Sequence, residues 1–291
     1  MASVRQIQQR IKAAGNISKI TKAMEMVSAS KMRRAQEQAL ATRPYTRALQ
    51  ESLATLGTVI NPELHPLLQP HGQGKDVAII LSSDKGLSGS LNPNLFKAML
   101  EWYREQEDPS LILVGRKVVA FAQINNLAIH AQFTDLPDRI GFADTLPITN
   151  LIAEGFLARE FRTVSLIYMD FISTLVQKPR TVQLLPLPKT LTMMGEESLA
   201  KPAQAKEYTF EPSPKEILNE LLPYYLENSV YQAFLEGKAS EHSARMVSMK
   251  NASENASELK GELTLEYNKF RQASITSELL DLSTALLGQQ Q

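Results

Sequence analysis

Residues 224–287 read YYLENSVYQAFLEGKASEHSARMVSMKNASENASELKGELTLEYNKFRQASITSELLDLSTALL, with no proline anywhere in the stretch. Proline inside a helix removes a backbone donor and clashes with the preceding turn, at ~3 kcal/mol, so its absence permits one uninterrupted helix. Leu259, Leu263, Tyr267 and Phe270 form one apolar row, and Ile275, Leu279, Leu282 and Leu286 form the next, at the three-and-four spacing of a helix face. As one helix the stretch is ~95 Å long at ~1.5 Å per residue. A compact domain cannot bury that length, so a second helix must lie beside it. Between Gly237 and Ser257 the apolar positions are mostly Ala and Met. Small side chains there predict a thin, closely approached coiled coil; the alternative is a poorly packed surface helix.

Upstream, Ser213, Pro214 and Glu216 make a capping box with proline at the first helical position, which marks a helix start. Pro223 is expected to kink or interrupt that helix early. A partner helix is present at the other end of the sequence. Val4, Ile7, Ile11 and Ala14 follow helical spacing, and Ile17, Ile20, Met24, Val27 and Lys31 resume it after a step of three. Gly15-Asn16 sits at that break and weakens the helix locally. The pattern either continues through Pro44 with a kink or restarts there, and it stops by Asn61-Pro62.

The middle of the chain follows a different rule. DVAIILSS (76–83), SLILVG (110–115), LAIHAQF (127–133) and TVSLIYMDF (163–171) are short β-rich apolar runs. Helices are predicted between them, over about Asn94–Glu105, Arg116–Asn125 and Asp144–Arg159. Strands alternating with helices imply parallel βαβ units. VQKPRTVQLLPL (176–187) adds a strand whose prolines place it at an edge. The sequence thus divides into an N-terminal helix over 1–60, an α/β domain over 76–190 and a C-terminal helix over 211–287. The fold class is mixed α and β, and the simplest geometry pairs the two ends as a long antiparallel coiled coil.

Composition narrows the chemistry. The chain of 291 residues has no cysteine, which excludes disulfides, thiolate catalysis and cysteine-ligated metals. No purely apolar run exceeds the five residues Val77–Leu81, and the N-terminus is polar from the start, so neither a bilayer-crossing helix nor a signal peptide is expected. His65, His71, His130 and His242 show no metal-ligand spacing and are expected to be satisfied or exposed. Net charge is zero, but residues 1–50 carry ten Lys/Arg against Glu25 and Glu37, whereas residues 207–287 carry seven Lys/Arg against thirteen Asp/Glu. A basic face of Lys19, Lys22, Lys31, Arg33 and Arg34 without interleaved aromatics argues against single-strand nucleic-acid stacking. Charge alone leaves duplex phosphate contact open; contact with acidic protein surfaces is preferred.

Catalytic arrangements fail on spacing. SSDKGLSGSLNPN (82–94) follows the first strand and precedes a helix, where phosphate loops sit, yet GLSG at 86–89 matches neither GxGxxG nor GxxxxGK[ST]. A tight turn using its glycines is the preferred reading. Ser240, Glu241 and His242 are consecutive, so on a helix they point in three directions and cannot form a triad.

Long motifs carry a family resemblance. NISKITKAMEMVSASKMRRAQ (16–36) closely resembles the N-terminal helix of gamma subunits of bacterial F-type ATP synthases. KASEHSARMVSMKNASENASEL (238–259) and LTLEYNKFRQASITSEL (263–279) are similar to that family's C-terminal signature, and SSDKGLSGSLNPNL (82–95), LLPLP (184–188) and FEPSPKEIL (210–218) also fit. The resemblance covers essentially the whole chain. It implies an antiparallel, asymmetric coiled coil with an inserted Rossmann-like α/β domain. It further implies a rotor with no cofactor and no catalytic residue of its own. The implied partners are three alpha and three beta subunits, the epsilon subunit and the membrane ring of c subunits, on the cytoplasmic side of the bacterial plasma membrane as a peripheral protein. By motif, Arg271, Gln272 and Thr276 match positions that contact the beta subunit, and Arg245 matches a polar contact to the surrounding ring. Met24 falls in the same contact region, with Lys22, Arg33 and Arg34 as basic contacts. Leu279, Leu282 and Leu286 are implied to form the apolar tip, and Tyr208 and Glu211 the foot facing the c-ring. Ser88 stands where many relatives have cysteine, Phe270 where they commonly have a small residue, and the tail STALLGQQQ (283–291) departs from the usual one.

Overall fold

The computed structural model describes residues 4–59, 65–187 and 213–288. The chain forms two compact units, one from Met1–Ser28 with Met246–Gln291, the other from Ala29–Arg245. Helix α1 spans Val4–Val59 and helix α5 spans Pro214–Gly288, so each contributes to both units. Both are continuous through their internal prolines, Pro44 and Pro223. The expected early interruption at Pro223 does not occur. Packing on both sides carries the helix past it, because Leu222, Tyr225 and Leu226 are all buried. The start of α5 follows the predicted cap: the Glu216 backbone N–H donates to Ser213 Oγ at 3.3 Å.

In the first unit α1 and α5 pair antiparallel. Ser18 Oγ donates to the Ser253 carbonyl at 3.4 Å, and Ser253 Oγ donates to the Ser18 carbonyl at 3.2 Å. Gly15, farther toward the start of α1, faces the aliphatic stem of Lys260, farther along α5. Such reciprocal bonds from short side chains to the opposite backbone require closely approached helices. The buried residues between them are mostly small: Ala14, Ser28, Ser253 and Ala256, with Ile7, Met249 and Leu263 filling the wider places. Gly15 does not end the helix, and a Cβ there would meet the Lys260 stem only at ordinary contact distance, 3.8 Å. Of the row read from sequence, Leu263 is buried, Tyr267 and Phe270 are half-buried and Leu259 is exposed.

The second unit is built on a five-stranded sheet in the order β3-β2-β1-β4-β5. The strands are β1 Lys75–Leu81, β2 Pro109–Val114, β3 Ile129–Phe133, β4 Phe161–Phe171 and β5 Gln177–Leu185. The first four are parallel, and β5 pairs antiparallel with β4 at the edge, as its prolines require. The crossover helices are α2 Leu91–Glu105, α3 Arg116–Ile124 and α4 Phe142–Leu157. Strand alternation sorts the core into two layers. Ala78, Ile80, Leu111, Leu113, Ile167 and Met169 face α2 and α3. Val77, Ile79, Ile112, Val164, Leu166 and Tyr168 face α4 together with the C-terminal part of α1 and the first half of α5, through Leu53, Ile152, Leu222, Val230 and Phe234. The long helices are thus part of this unit's core.

Candidate functional site

Open α/β sheets hold ligands in the crevice outside the carboxyl ends of their strands, where the chain direction switches. Here that point lies between β1 and β4, and α5 occupies it. Gly237, Lys238 and Glu241 of α5 meet Ser82, Ser83 and Asp84 after β1 and Leu136 and Ile140 after β3, leaving a cavity of only about 30 Å³. That is about the room of one water molecule, far below the several hundred Å³ of a small-molecule site.

The glycine-bearing loop is consumed internally. Asp84 Oδ1 accepts the N–H of Arg116 at 3.0 Å, and Ser82 Oγ accepts that of Val118 at 3.1 Å. The start of α3, a natural anion position, therefore already holds a carboxylate. Ser83 and Asn92 bind each other at 2.8 Å, both buried. Two residues of the turn have positive φ, Leu87 at 63° and Gly89 at 58°, while Gly86 does not. The tight turn expected from the glycines is present, but Leu87 takes one of its unusual conformations.

Arg245, implied to contact a surrounding ring, is turned inward in this chain. Its guanidinium donates to Glu241 Oε1 at 2.8 Å, to the Lys85 carbonyl at 3.1 Å and to the Gly86 carbonyl at 3.2 Å. The helical spacing of Glu241 and Arg245 brings them together, and burial of both makes the pairing obligatory. Next to them, Ser243 Oγ donates to the Thr174 carbonyl at 2.7 Å. His242 departs from expectation, being neither exposed nor fully satisfied. It is buried, its Nδ1 has no partner among the described residues, and its Nε2 lies 3.6 Å from Asp138. Burial lowers the His242 pKa despite the nearby Glu241 and Asp138 carboxylates, so the ring is neutral. Asp138 binds Lys31 at 2.6 Å. Burial pushes its pKa up, but the hydrogen bond from Lys31 and the charges of His242, Lys31 and Lys238 outweigh that, and the net direction is down.

A second polar group went unread in the sequence. Tyr168 Oη donates to Glu236 Oε2 at 2.9 Å, Gln232 Nε2 donates to Glu236 Oε1 at 3.1 Å, and Thr42 Oγ1 donates to Gln232 Oε1 at 3.0 Å. One network thus joins β4, α5 and α1. Burial raises the pKa of Glu236. The only sequence signal was the four-residue spacing of Gln232 and Glu236.

The remaining predicted residues lie on the long helices. Lys22 is exposed and pairs with Glu25 at 3.0 Å, Met24 is half-buried, and Arg33 and Arg34 are exposed. By the Ser18–Ser253 register, α5 runs about 20 residues, ~30 Å, past the start of α1. On that single-helix stretch Arg271, Gln272 and Thr276 are exposed, as are Ile275 and Leu279. Arg271, Ile275 and Leu279 form one stripe at four-residue spacing, and Gln272 and Thr276 the stripe beside it. Leu282 and Leu286 belong to α5, but their side chains lie outside the described residues, as do Tyr208 and Glu211 altogether. No described helix is long and apolar enough to cross a membrane.

Known proteins share both fold and sequence with this chain. Residues 3–286 match the family model described as ATP synthase. The ATP synthase gamma chain of Dehalococcoides mccartyi is 45% identical over 286 residues, covering 97% of each chain. That of Akkermansia muciniphila is 43% identical over 290 residues, covering 98% of this chain and 99% of its own. Among solved structures, the rotor of the Euglena gracilis mitochondrial ATP synthase matches with a TM-score of 0.64 at 16% identity, over 94% of this chain and 98% of that one. The central stalk of the Tetrahymena thermophila mitochondrial enzyme matches with a TM-score of 0.59 at 22% identity, over 80% of this chain and 99% of that one. At such identities the two structures share the fold alone, whereas the two bacterial chains share the sequence throughout. The chain belongs to the ATP synthase gamma-chain family.

Proposed function

We propose that the chain is the central rotor shaft of a bacterial F-type ATP synthase and is not catalytic by itself. Its partners are the alpha and beta subunits, three of each, the epsilon subunit and the c-ring, which holds it as a peripheral protein at the cytoplasmic face of the plasma membrane. Ion flow through the c-ring turns the shaft, and the shaft drives the beta subunits through the conformations that make and release ATP.

The observation that carries this reading is the unpaired end of α5. A single helix with exposed Ile275 and Leu279 beside Arg271 and Gln272 is marginal in water, and it is built to be surrounded. Arg271 and Gln272 supply hydrogen bonds on one side of the helix only. A shaft that differs around its circumference interacts differently with each beta subunit, and a differential interaction is what shifts a conformational equilibrium. The filled crevice of the sheet supports the non-catalytic part: α5 stands where a nucleotide would. The nucleic-acid alternative for the basic helix is dropped, since family membership accounts for it.

Mixing the chain with cognate alpha and beta subunits tests the reading. A stable complex with ATPase activity is expected. Failure to co-assemble would sink the rotor reading, and ATPase activity from the chain alone would overturn its non-catalytic part.

A further inference from the structure

Two segments at the carboxyl edge of the sheet grip α5 within one helical turn, and a third, fastened to α1, faces it. The loop after β1 is held by Arg245, through the Lys85 and Gly86 carbonyls at 3.1 and 3.2 Å. The β4–β5 turn is held by Ser243, through the Thr174 carbonyl at 2.7 Å. The loop before α4 presents Asp138, which lies 3.6 Å from His242 on α5 and binds Lys31 on α1 at 2.6 Å. The same loop is fastened again by Gln38 Nε2, which donates to the Ile140 carbonyl at 2.9 Å.

At 3.6 residues per turn, positions 242, 243 and 245 leave the helix in three different directions. Apolar packing resists turning through interdigitated side chains but sets no fixed hydrogen-bond direction. Hydrogen bonds to fixed backbone carbonyls are directional and weaken steeply on misalignment. Positions 243 and 245 project ~160° apart, so their two tethers hold nearly opposite sides of α5 and resist its turning.

We propose that these tethers form a torsional clamp, in which Arg245 and Ser243 are positioning residues that stop α5 turning about its axis within the α/β domain. The proposal rests on the rotor reading and adds where torque enters the shaft.

The test uses the complex assembled with alpha, beta, epsilon and the c-ring. The catalytic ring is immobilised, and a bead is attached to the exposed position 97 on α2 through a Lys97→Cys substitution, the one cysteine of this chain, with any cysteines of the partner subunits replaced. With the complex stalled by ADP, the angular spread of the bead reports torsional stiffness. Ser243→Ala and Arg245→Ala are each expected to raise the angular variance, and together to raise it at least twofold. Arg245→Lys, which can still donate to a carbonyl, is expected to fall between Arg245→Ala and the unsubstituted chain. Unchanged variance in the combined variant overturns the clamp. If the combined variant does not assemble, Ser243→Ala decides, since it removes one oxygen and little volume. Failure of the unsubstituted chain to assemble or rotate would instead remove the rotor reading itself.

Discussion

His242 shows how far one residue's behaviour depends on what folds around it. From the sequence it reads as a satisfied or exposed histidine, yet the Asp138 loop and α1 lie around it and leave Nδ1 without a partner among the described residues. Burial lowers its pKa, and although Glu241 and Asp138 pull the other way, Arg245 and Lys238 add to the lowering. The folded chain therefore holds it neutral, while the unfolded chain takes up a proton near pH ~6.5. Its contribution to stability is complete above that value and is lost as pH falls toward the depressed folded value. The Asp138 shift is also downward, so its own contribution is lost only below the ordinary carboxylate range near ~4. Thermal melting should consequently fall as pH drops below ~6.5, and His242→Gln should flatten that fall. Identical slopes in the two proteins would contradict the assignment. Arg245 teaches the same lesson: its place in the motif gives no sign of the loop carbonyls of Lys85 and Gly86 that it binds.

At the scale of elements, the coiled coil is governed by side-chain size. Its apolar content in the Gly237–Ser257 stretch looks too poor for a strong seam, but small residues let the two backbones approach until Ser18 and Ser253 reach each other's carbonyls. The sequence presented close approach and poor packing as alternatives, and the reciprocal serine bonds decide for the first. Because the chain has no cysteine, Ser18→Cys with Ser253→Cys is a clean probe of this register. A disulfide needs Cα atoms within ~7 Å, so mild oxidation should cross-link the pair within one chain. Free thiols remaining after oxidation, detected by thiol labelling, would place the register elsewhere. The sheet was more legible. Alternating apolar runs separated by helical patterns put every strand within two residues of its place, and the prolines of 176–187 assigned β5 to the edge.

At the scale of the whole molecule, the exposed end of α5 makes the sharpest prediction. Replacing Arg271 and Gln272 together with alanine should leave the free chain folded, since both side chains are solvent-exposed. In the assembled complex the pair is expected to supply hydrogen bonds, each of about 1.5–3 kcal/mol where one partner is charged. Their loss should lower proton-driven ATP synthesis at least tenfold or weaken assembly to a comparable degree. Circular dichroism of the free chain checks the first statement, and synthesis by reconstituted vesicles the second. Unchanged synthesis with unchanged assembly would remove these two residues from the working face.

Residues 224–287, met first as a proline-free stretch, determined on their own that a very long helix exists and that it needs company. Periodicity and proline act locally, so helix, partner helix and βαβ insert were all readable along the chain. The sequence also carried its family in motifs at both ends. Only the tertiary structure decided that α5 fills the sheet's ligand crevice, that Asp84 takes the anion position at α3, and that Arg245, Ser243 and His242 meet three separate loops. Those outcomes depend on residues about 30 to 160 positions apart, and local spacing carries no information about contacts closed only when the sheet assembles around the helix.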